Sequence, residues 1–271
     1  MDASEYVDLN INGQTGQAIH RIRCGEIWGG NRGDQLELVT SSLRASLFSR
    51  SCDGGKGGDL YYLSVCESDL LTRIAIVDVV GHGESVSTTS DRLYESLARQ
   101  MNSSDGSVVL ADLNRLSNEL GQKAMATAAV SAFYHADSRF YVAYAGHNEL
   151  LLKRSTETTW KLISPTESDD IAGLPLGVLE ECDYVQQSLP GAVGDRLFLY
   201  TDGLVEAMDS SGEQFGIQRL LNVLNGTGTE SVSTVRMAVL DAIMTHSGGS
   251  LGHDDVTFLV VEIAEQDTTE K

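Results

Sequence analysis

Apolar residues recur along this chain in two rhythms, one of strands and one of helices, and the two come in blocks rather than in strict alternation. Strand-like runs cover Leu60 to Cys66, Ile74 to Val77, Thr127 to His135, Arg139 to Ala145, Leu150 to Lys153, Thr159 to Ile163, Asp183 to Leu189, Arg196 to Tyr200 and Val256 to Ile263. Nearer the N-terminus the signal is weaker: Tyr6 to Ile11 alternates loosely, Leu36 to Val39 suggests a strand, and Leu43 to Ser49 suits helix or strand equally. Helical spacing appears in Glu84 to Met101 (Val86, Leu93, Leu97, Met101) and in Val108 to Gln122 (Val109, Leu113, Leu116, Leu120). It returns in Gly212 to Asn225 and in Val232 to His246, where Val235, Val239 and Ile243 share a face. Gly29 to Asp34 (GGNRGD) reads as turn chemistry, and Ser51 to Asp59 (SCDGGKGGD) as a flexible loop. Met125 and Tyr134 read as core. Helices that come in pairs between runs of strands do not build βαβ repeats. The pattern predicts an α+β fold in which two mainly antiparallel sheets are flanked by helices. Residues 1–30 are expected to be a lead-in, 31–264 one domain, and 265–271 an acidic tail.

Charge narrows the partners. With 39 acidic against 19 basic residues the formal charge is −20, which disfavours nucleic acid and an anionic membrane surface. No run of about 18 apolar residues exists to span a bilayer. The N-terminus lacks the apolar stretch of a secretory signal. Cys24, Cys52, Cys66 and Cys182 form no CxxC pair, so neither a zinc framework nor disulfides are expected. A cytoplasmic location follows as the expectation.

The chemistry lies in carboxylates placed where a strand meets a glycine-rich turn. Asp78 ends the apolar run Ile74 to Val77 and precedes Gly81-His82-Gly83. Asp59 follows Gly57-Gly58, Asp202 precedes Gly203, and Asp254-Asp255 open the last strand. A charge at a buried strand end is costly unless a partner or a cation neutralises it. Strand ends are rigid, so carboxylates from different strands can converge on one point. Gathered there they repel, and a cation among them relieves the repulsion. All-oxygen donors suit the hard ions Mg²⁺ and Mn²⁺. Two such ions about 3.5–4 Å apart form a hydrolytic centre for phosphate esters that needs no Ser or Cys nucleophile.

Seven segments carry a family resemblance: GGDLYYL, DVVGHG, YAGHNELL, GLPLGV, GDRLFLYTDGLVEA, GEQFG and DDVTFLVVEI. In order and spacing, from about Gly57 to Ile263, they resemble the bacterial PPM-type (protein phosphatase 2C-like) serine/threonine phosphatases of the SpoIIE/RsbU-like branch. The resemblance implies a four-layer αββα sandwich with two Mn²⁺ or Mg²⁺ ions at one end. Carried over by position, Asp78 would bridge the two ions and the Val79 carbonyl would complete the second. Asp202 and Asp254 would bind the first ion, and Asp59 would reach the second through water; Asp78 and Asp202 are the implied catalytic pair. Asp254 rather than Asp255 would be the ligand of its pair. The implied activity is hydrolysis of phosphoserine or phosphothreonine on a regulatory protein, for example an anti-sigma-factor antagonist in a partner-switching pathway. The segments Glu84 to Met101 and Leu204 to Gln214 would correspond to switch elements that assemble the centre.

Two departures from the wider family stand out. A His two residues after the bridging Asp is replaced by Val80, and His82 lies two residues further on. The N-terminal Arg that holds phosphate in animal members has no positional equivalent, although Arg44 and Arg50 are candidates. His147 and Asn148 are read as locking a turn. Two other functions compete: a phosphoprotein-binding pseudophosphatase, and a GHKL-type kinase, whose DxGxG turn is superficially like DVVGHG.

Overall fold

The computed structural model describes residues 19–121, 124–163 and 173–265. The weak strand expected at Tyr6 to Ile11 lies outside them, as does the acidic tail beyond Glu265. Among the described residues thirteen strands run in chain order as β1 (Ile19–Arg21), β2 (Ile27–Arg32), β3 (Asp34–Val39), β4 (Leu43–Arg50), β5 (Lys56–Val65), β6 (Leu71–Val79), β7 (Ala126–Tyr134), β8 (Arg139–Ala145), β9 (Leu150–Lys153), β10 (Lys161–Ile163), β11 (Gln186–Pro190), β12 (Arg196–Tyr200) and β13 (Val256–Ile263). Five α-helices accompany them there, α1 (Ser87–Arg99), α2 (Gly106–Leu120), α3 (Asp202–Glu206), α4 (Gly216–Gly226) and α5 (Val232–His246), with one 3-10 turn at Gly83–Ser85.

The strands form two sheets. One has the order β1-β3-β4-β13-β12-β9-β10 and the other β11-β8-β7-β6-β5-β2. All pairings are antiparallel except β1 with β3. The inward faces meet in a core that includes Leu47, Leu63, Ile74, Ile76, Phe140 and Leu259. α1 and α2 cover the six-stranded sheet through Leu93, Leu97, Val109 and Leu113, packed on Leu60, Val77 and Val130. α3, α4 and α5 cover the other through Leu204, Leu220, Val235 and Val239, packed on Phe198, Phe258 and Val260. Sandwiched between a sheet and a helical layer, Ile74 to Val77 and Phe258 to Val261 are buried on both faces, which is why they read as continuous apolar runs. The layers are those of an αββα sandwich. No helix among the described residues is long and apolar enough to cross a membrane.

The structure settles one stretch that the sequence left open and departs from the reading at three others. Leu43 to Ser49, equally suited to helix or strand, is the strand β4, held between β3 and β13. Gly29 and Gly30 do not turn; they lie within β2, opposite Tyr62 and Tyr61. A Cβ on Gly29 would stand 2.5 Å from the Tyr61 carbonyl and 2.7 Å from the Tyr94 ring, so glycine is there for close approach. Likewise Gly57 and Gly58 belong to β5 rather than to a loop. β1 and β2, inside the stretch read as a lead-in, are strands of the two sheets.

Candidate metal centre

Antiparallel pairing puts the acidic strand ends at one edge of the sandwich. Leu60 pairs with Val77, which leaves Asp59 and Asp78 adjacent at the open end of that ladder. Tyr200 pairs with Phe258 in the other sheet, and Asp202 and Asp254 lie just beyond those strands. The centre therefore draws two carboxylates from each sheet.

The environments differ. Asp59 is 4 % exposed and its Oδ2 accepts a hydrogen bond of 2.7 Å from the Thr201 hydroxyl of the opposite sheet. Burial drives its carboxyl well above the ordinary range; hydrogen bonds from Thr201 and Thr257 oppose this, and the charges of Asp255 and Asp254 add to it. Burial likewise pushes Asp78 up to about 10, helped by Asp59, Asp202 and Asp254 and by a hydrogen bond shared with Asp202. Asp254 is raised by burial and by Asp202 and Asp255. Among the described residues, none of Asp59, Asp78, Asp202 and Asp254 is paired with a Lys, Arg or His nitrogen. Asp59 is buried and Asp78, Asp202 and Asp254 are half-buried, and among the described residues none of them is neutralised by a Lys or Arg. An all-oxygen set of this kind fits a hard divalent cation.

Asp255 belongs to a different structure. Its Oδ1 accepts the Cys52 N–H at 2.8 Å, and its Oδ2 accepts the N–H groups of Gly58 at 2.6 Å and Gly83 at 3.1 Å. Burial alone would raise this carboxyl, but those donors hold it below its usual range. It ties three chain segments together around the centre. Gly57 makes room for it, since a Cβ there would stand 2.5 Å from Asp255 Oδ2. Asp254, by contrast, uses Oδ1 only to accept its neighbour's N–H.

Val79 is fully buried at the end of β6. Gly58 keeps the space beside its carbonyl clear, because a Cβ on Gly58 would approach that oxygen to 3.0 Å. α1 docks on the same strand through the Ser90 hydroxyl, 2.8 Å from the Gly58 carbonyl. In the segment after Asp202, Asp209 accepts the Ser211 hydroxyl and the N–H groups of Glu213 and Ser211, and these bonds hold its carboxyl down at about 2.

The histidines and arginines sort by position. His82 is exposed and turns Nδ1 toward Cys52 Sγ at 3.3 Å, and it lies close enough to Asp254 to oppose the rise of that carboxyl. His147 does lock a turn: its Nδ1 is 3.0 Å from the Asn148 carbonyl. Its Nε2 is buried and has no partner among the described residues, and burial lowers the ring to about 4, opposed by the Asn148 hydrogen bond and by Asp202 nearby. Sequence reasoning missed this proximity, and it missed Thr201; the only signal for Thr201 was its place before Asp202. Arg44 pairs with Glu262, in register with it on β13, and Arg50 is opposite Val256. Arg44 thus stands at the far end of β4, roughly 20 Å along the strand from the centre, and only Arg50 is on the centre's side.

Comparison with known proteins agrees with this architecture. Residues 68–264 match the family described as Stage II sporulation protein E (SpoIIE). The phosphoserine phosphatase RsbP of Bacillus subtilis (strain 168) is 25% identical over 213 residues, 76% of this chain and 49% of that protein. The phosphoserine phosphatase RsbU of the same organism is 25% identical over 209 residues, 75% of this chain and 58% of that protein. The chain spans about half the length of these curated relatives. Among solved structures, the PP2C phosphatase domain of SpoIIE from Bacillus subtilis superposes with a TM-score of 0.68 at 18% identity, covering 82% of this chain and 63% of that one. The catalytic domain of the serine/threonine protein phosphatase PstP, in complex with 2 manganese ions, gives 0.54 at 17% identity, covering 82% and 99%. These likenesses exclude the GHKL-type kinase, whose fold this is not. The family match covers most of the chain, the two-sheet sandwich is shared, and the chain belongs to the SpoIIE family of PP2C-like phosphatase domains.

Proposed function

We propose that this domain is a divalent-cation-dependent phosphoprotein phosphatase acting on phosphoserine or phosphothreonine. One observation carries the reading: Asp59, Asp78, Asp202 and Asp254 are gathered at the joint of the two sheets with no Lys or Arg paired to them among the described residues. That also disfavours a pseudophosphatase, whose donor set would have decayed. Asp78 and Asp202, with Asp59, Asp254 and the Val79 carbonyl, would hold two Mn²⁺ or Mg²⁺ ions. When bound, such ions supply positive charge for the phosphoryl group and lower the pKa of water.

The chain's own residues prepare that site. Thr201 fixes Asp59 Oδ2 from across the sandwich, so the two halves of the donor set keep one spacing. Asp255 holds the Cys52, Gly58 and Gly83 backbones around the cluster. The named phosphoserine phosphatases RsbP and RsbU support the substrate class.

Among the described residues no Lys or Arg pairs with these carboxylates, and the whole chain carries −20; attraction for phosphate at the reacting centre then falls to the cations. Selectivity must come from contacts outside it, which suits a phosphorylated regulatory protein such as an anti-sigma-factor antagonist. The test is a Mn²⁺ titration of hydrolysis of an aryl phosphate, with EDTA as the control, followed by an intact phosphorylated antagonist against its phosphopeptide. Mn²⁺-dependent, EDTA-reversible turnover that favours the intact protein is expected. Turnover insensitive to EDTA overturns the metal assignment, and equal cleavage of peptide and protein overturns the docking.

A further inference from the structure

Beside the acidic centre stands a donor set of different chemistry. Cys52 and Asp53 lie in the turn between β4 and β5, and His82 sits in the turn after Asp78. Cys52 Sγ, a carboxylate oxygen of Asp53 and a ring nitrogen of His82 all lie within 4.8 Å of one another. The Sγ to Nδ1 distance is 3.3 Å. A tetrahedral zinc with Zn–S near 2.3 Å and Zn–N near 2.0 Å would separate those atoms by about 3.5 Å, so closing the site asks for about 0.2 Å.

Two independent features hold the three donors in place. Asp255 accepts the N–H of Cys52 and the N–H of Gly83 with one carboxylate, so the turns that carry the thiol and the imidazole are pinned to a common anchor. Asp53 is seated against the second turn: a Cβ on Gly83, which has φ +65°, would fall 1.9 Å from Asp53 Oδ2. Among the described residues Asp53 has no Lys or Arg partner. His82 and Asp53 are exposed and Cys52 is half-buried, so an ion has a path in and solvent can complete the coordination.

We propose that Cys52 Sγ, Asp53 and His82 Nδ1 form a separate cation site that takes Zn²⁺ and fastens the glycine-rich turn before β5 to the turn after Asp78. A thiolate with an imidazole selects a borderline-soft ion, whereas the neighbouring all-oxygen cluster selects hard ones. Without an ion the thiol keeps its proton: burial, then the hydrogen bond and charge of Asp255, push it up to about 12. On binding, the S–H bond breaks, the proton passes to solvent and an S–Zn bond forms in its place. The site stands whether or not the acidic centre hydrolyses phosphate.

Cobalt reports it directly. EDTA-stripped, phosphine-reduced full-length protein is titrated with Co²⁺ and followed by absorbance. A thiolate-to-cobalt charge-transfer band should rise, saturate at one equivalent and vanish when Zn²⁺ displaces Co²⁺. Cys52→Ser should abolish the band, and His82→Gln should weaken Co²⁺ binding more than about tenfold. The Cys24→Ser/Cys182→Ser double variant and Asp78→Asn should keep it. Circular dichroism of metal-free Cys52→Ser shows whether that variant is folded, and His82→Gln carries the test if it is not. Absence of the band in the wild type, its survival in Cys52→Ser, or its loss in Asp78→Asn overturns the proposal.

Discussion

Asp255 commits both oxygens to backbone N–H groups, whereas Asp254 faces Asp202 with its carboxyl raised, and the two neighbours should fail differently when changed. Asp255→Asn turns an acceptor into a donor opposite an N–H, leaving a buried group unsatisfied at about 1–3 kcal/mol. Thermal melting of metal-free protein should therefore drop for Asp255→Asn, while Asp78→Asn melts no lower than wild type yet loses hydrolysis. If Asp78→Asn is the variant that unfolds early, the structural and chemical roles have been exchanged. The raised carboxyls also fix a pH dependence. Asp78 stands at about 10 when folded against an ordinary unfolded value near 4, so between these the folded state holds a proton that the unfolded state has lost. Its stabilising contribution is complete below the unfolded value and disappears as pH rises toward the folded one; Asp59 shifts the same way. Urea midpoints of EDTA-treated protein should fall between about pH 6 and about pH 8, by at most about 1.4 kcal/mol per unit for each group. Asp78→Asn should flatten the slope, and a midpoint that rises would contradict the buried cluster. Carboxylates at strand ends were legible in the sequence because glycine and the end of an apolar run both flag them. What separates Asp254 from Asp255 was not, since the donors to Asp255 come from positions 52, 58 and 83. The same is true of His147, whose turn contact is local but whose nearness to Asp202 is made by the fold.

Among the elements, glycine was the hardest residue to read. Gly-Gly pairs at 29–30 and 57–58 look like turns in a sequence, yet both lie within strands. Their function is to let another chain segment come close, and which segment does so depends on contacts distant in sequence. α1 packs across β2 and β5 at this point: Tyr94 lies over Gly29 and Tyr62 is edge-on to Tyr94 at 6.1 Å. Gly29→Ala should consequently cost about 1–3 kcal/mol by overpacking, since the nearest obstacle is the Tyr61 carbonyl at 2.5 Å, a backbone atom with little freedom to move. Urea denaturation measures this, and a neutral Gly29→Ala would mean that β2 and α1 do not meet there. Strands buried on both faces and helices with one apolar stripe were legible because burial itself writes those patterns. α5 and β13 have the expected ends, Val232–His246 and Val256–Ile263. β4 could not be decided from its own residues, because its neighbours β3 and β13 supply the ladder that makes it a strand.

Across the whole molecule, the block order of strands and paired helices was enough to predict two sheets flanked by helices, but not which strands would share a sheet. That partition decides the chemistry. β5 and β6 bring Asp59 and Asp78 from one sheet; the ends of β12 and β13 bring Asp202 and Asp254 from the other. The sheets are joined here by side-chain bonds from Thr201 to Asp59 and from the Gly58 N–H to Asp255, while acidic groups crowd together from either side. A cation bound among them would act as a cross-link between sheets as well as a reactant, so its removal should loosen the entire sandwich. Binding to the native state alone adds RT ln(1 + [L]/Kd), about 2.7 kcal/mol at a hundredfold excess over Kd. For a chain of this size each kcal/mol moves the melting temperature by roughly 2–4 °C, so saturating Mn²⁺ should raise it by roughly 5–10 °C and EDTA should reverse the rise. Asp78→Asn and Asp202→Asn should each lose most of that increment while Cys52→Ser keeps it, because the thiol lies outside the all-oxygen set. Differential scanning calorimetry at fixed ionic strength separates the effect from general screening of the −20 charge, which Ca²⁺-free NaCl of equal strength would reproduce. A melting temperature indifferent to Mn²⁺, or raised equally by NaCl, would mean that the carboxylates from the two sheets do not share an ion.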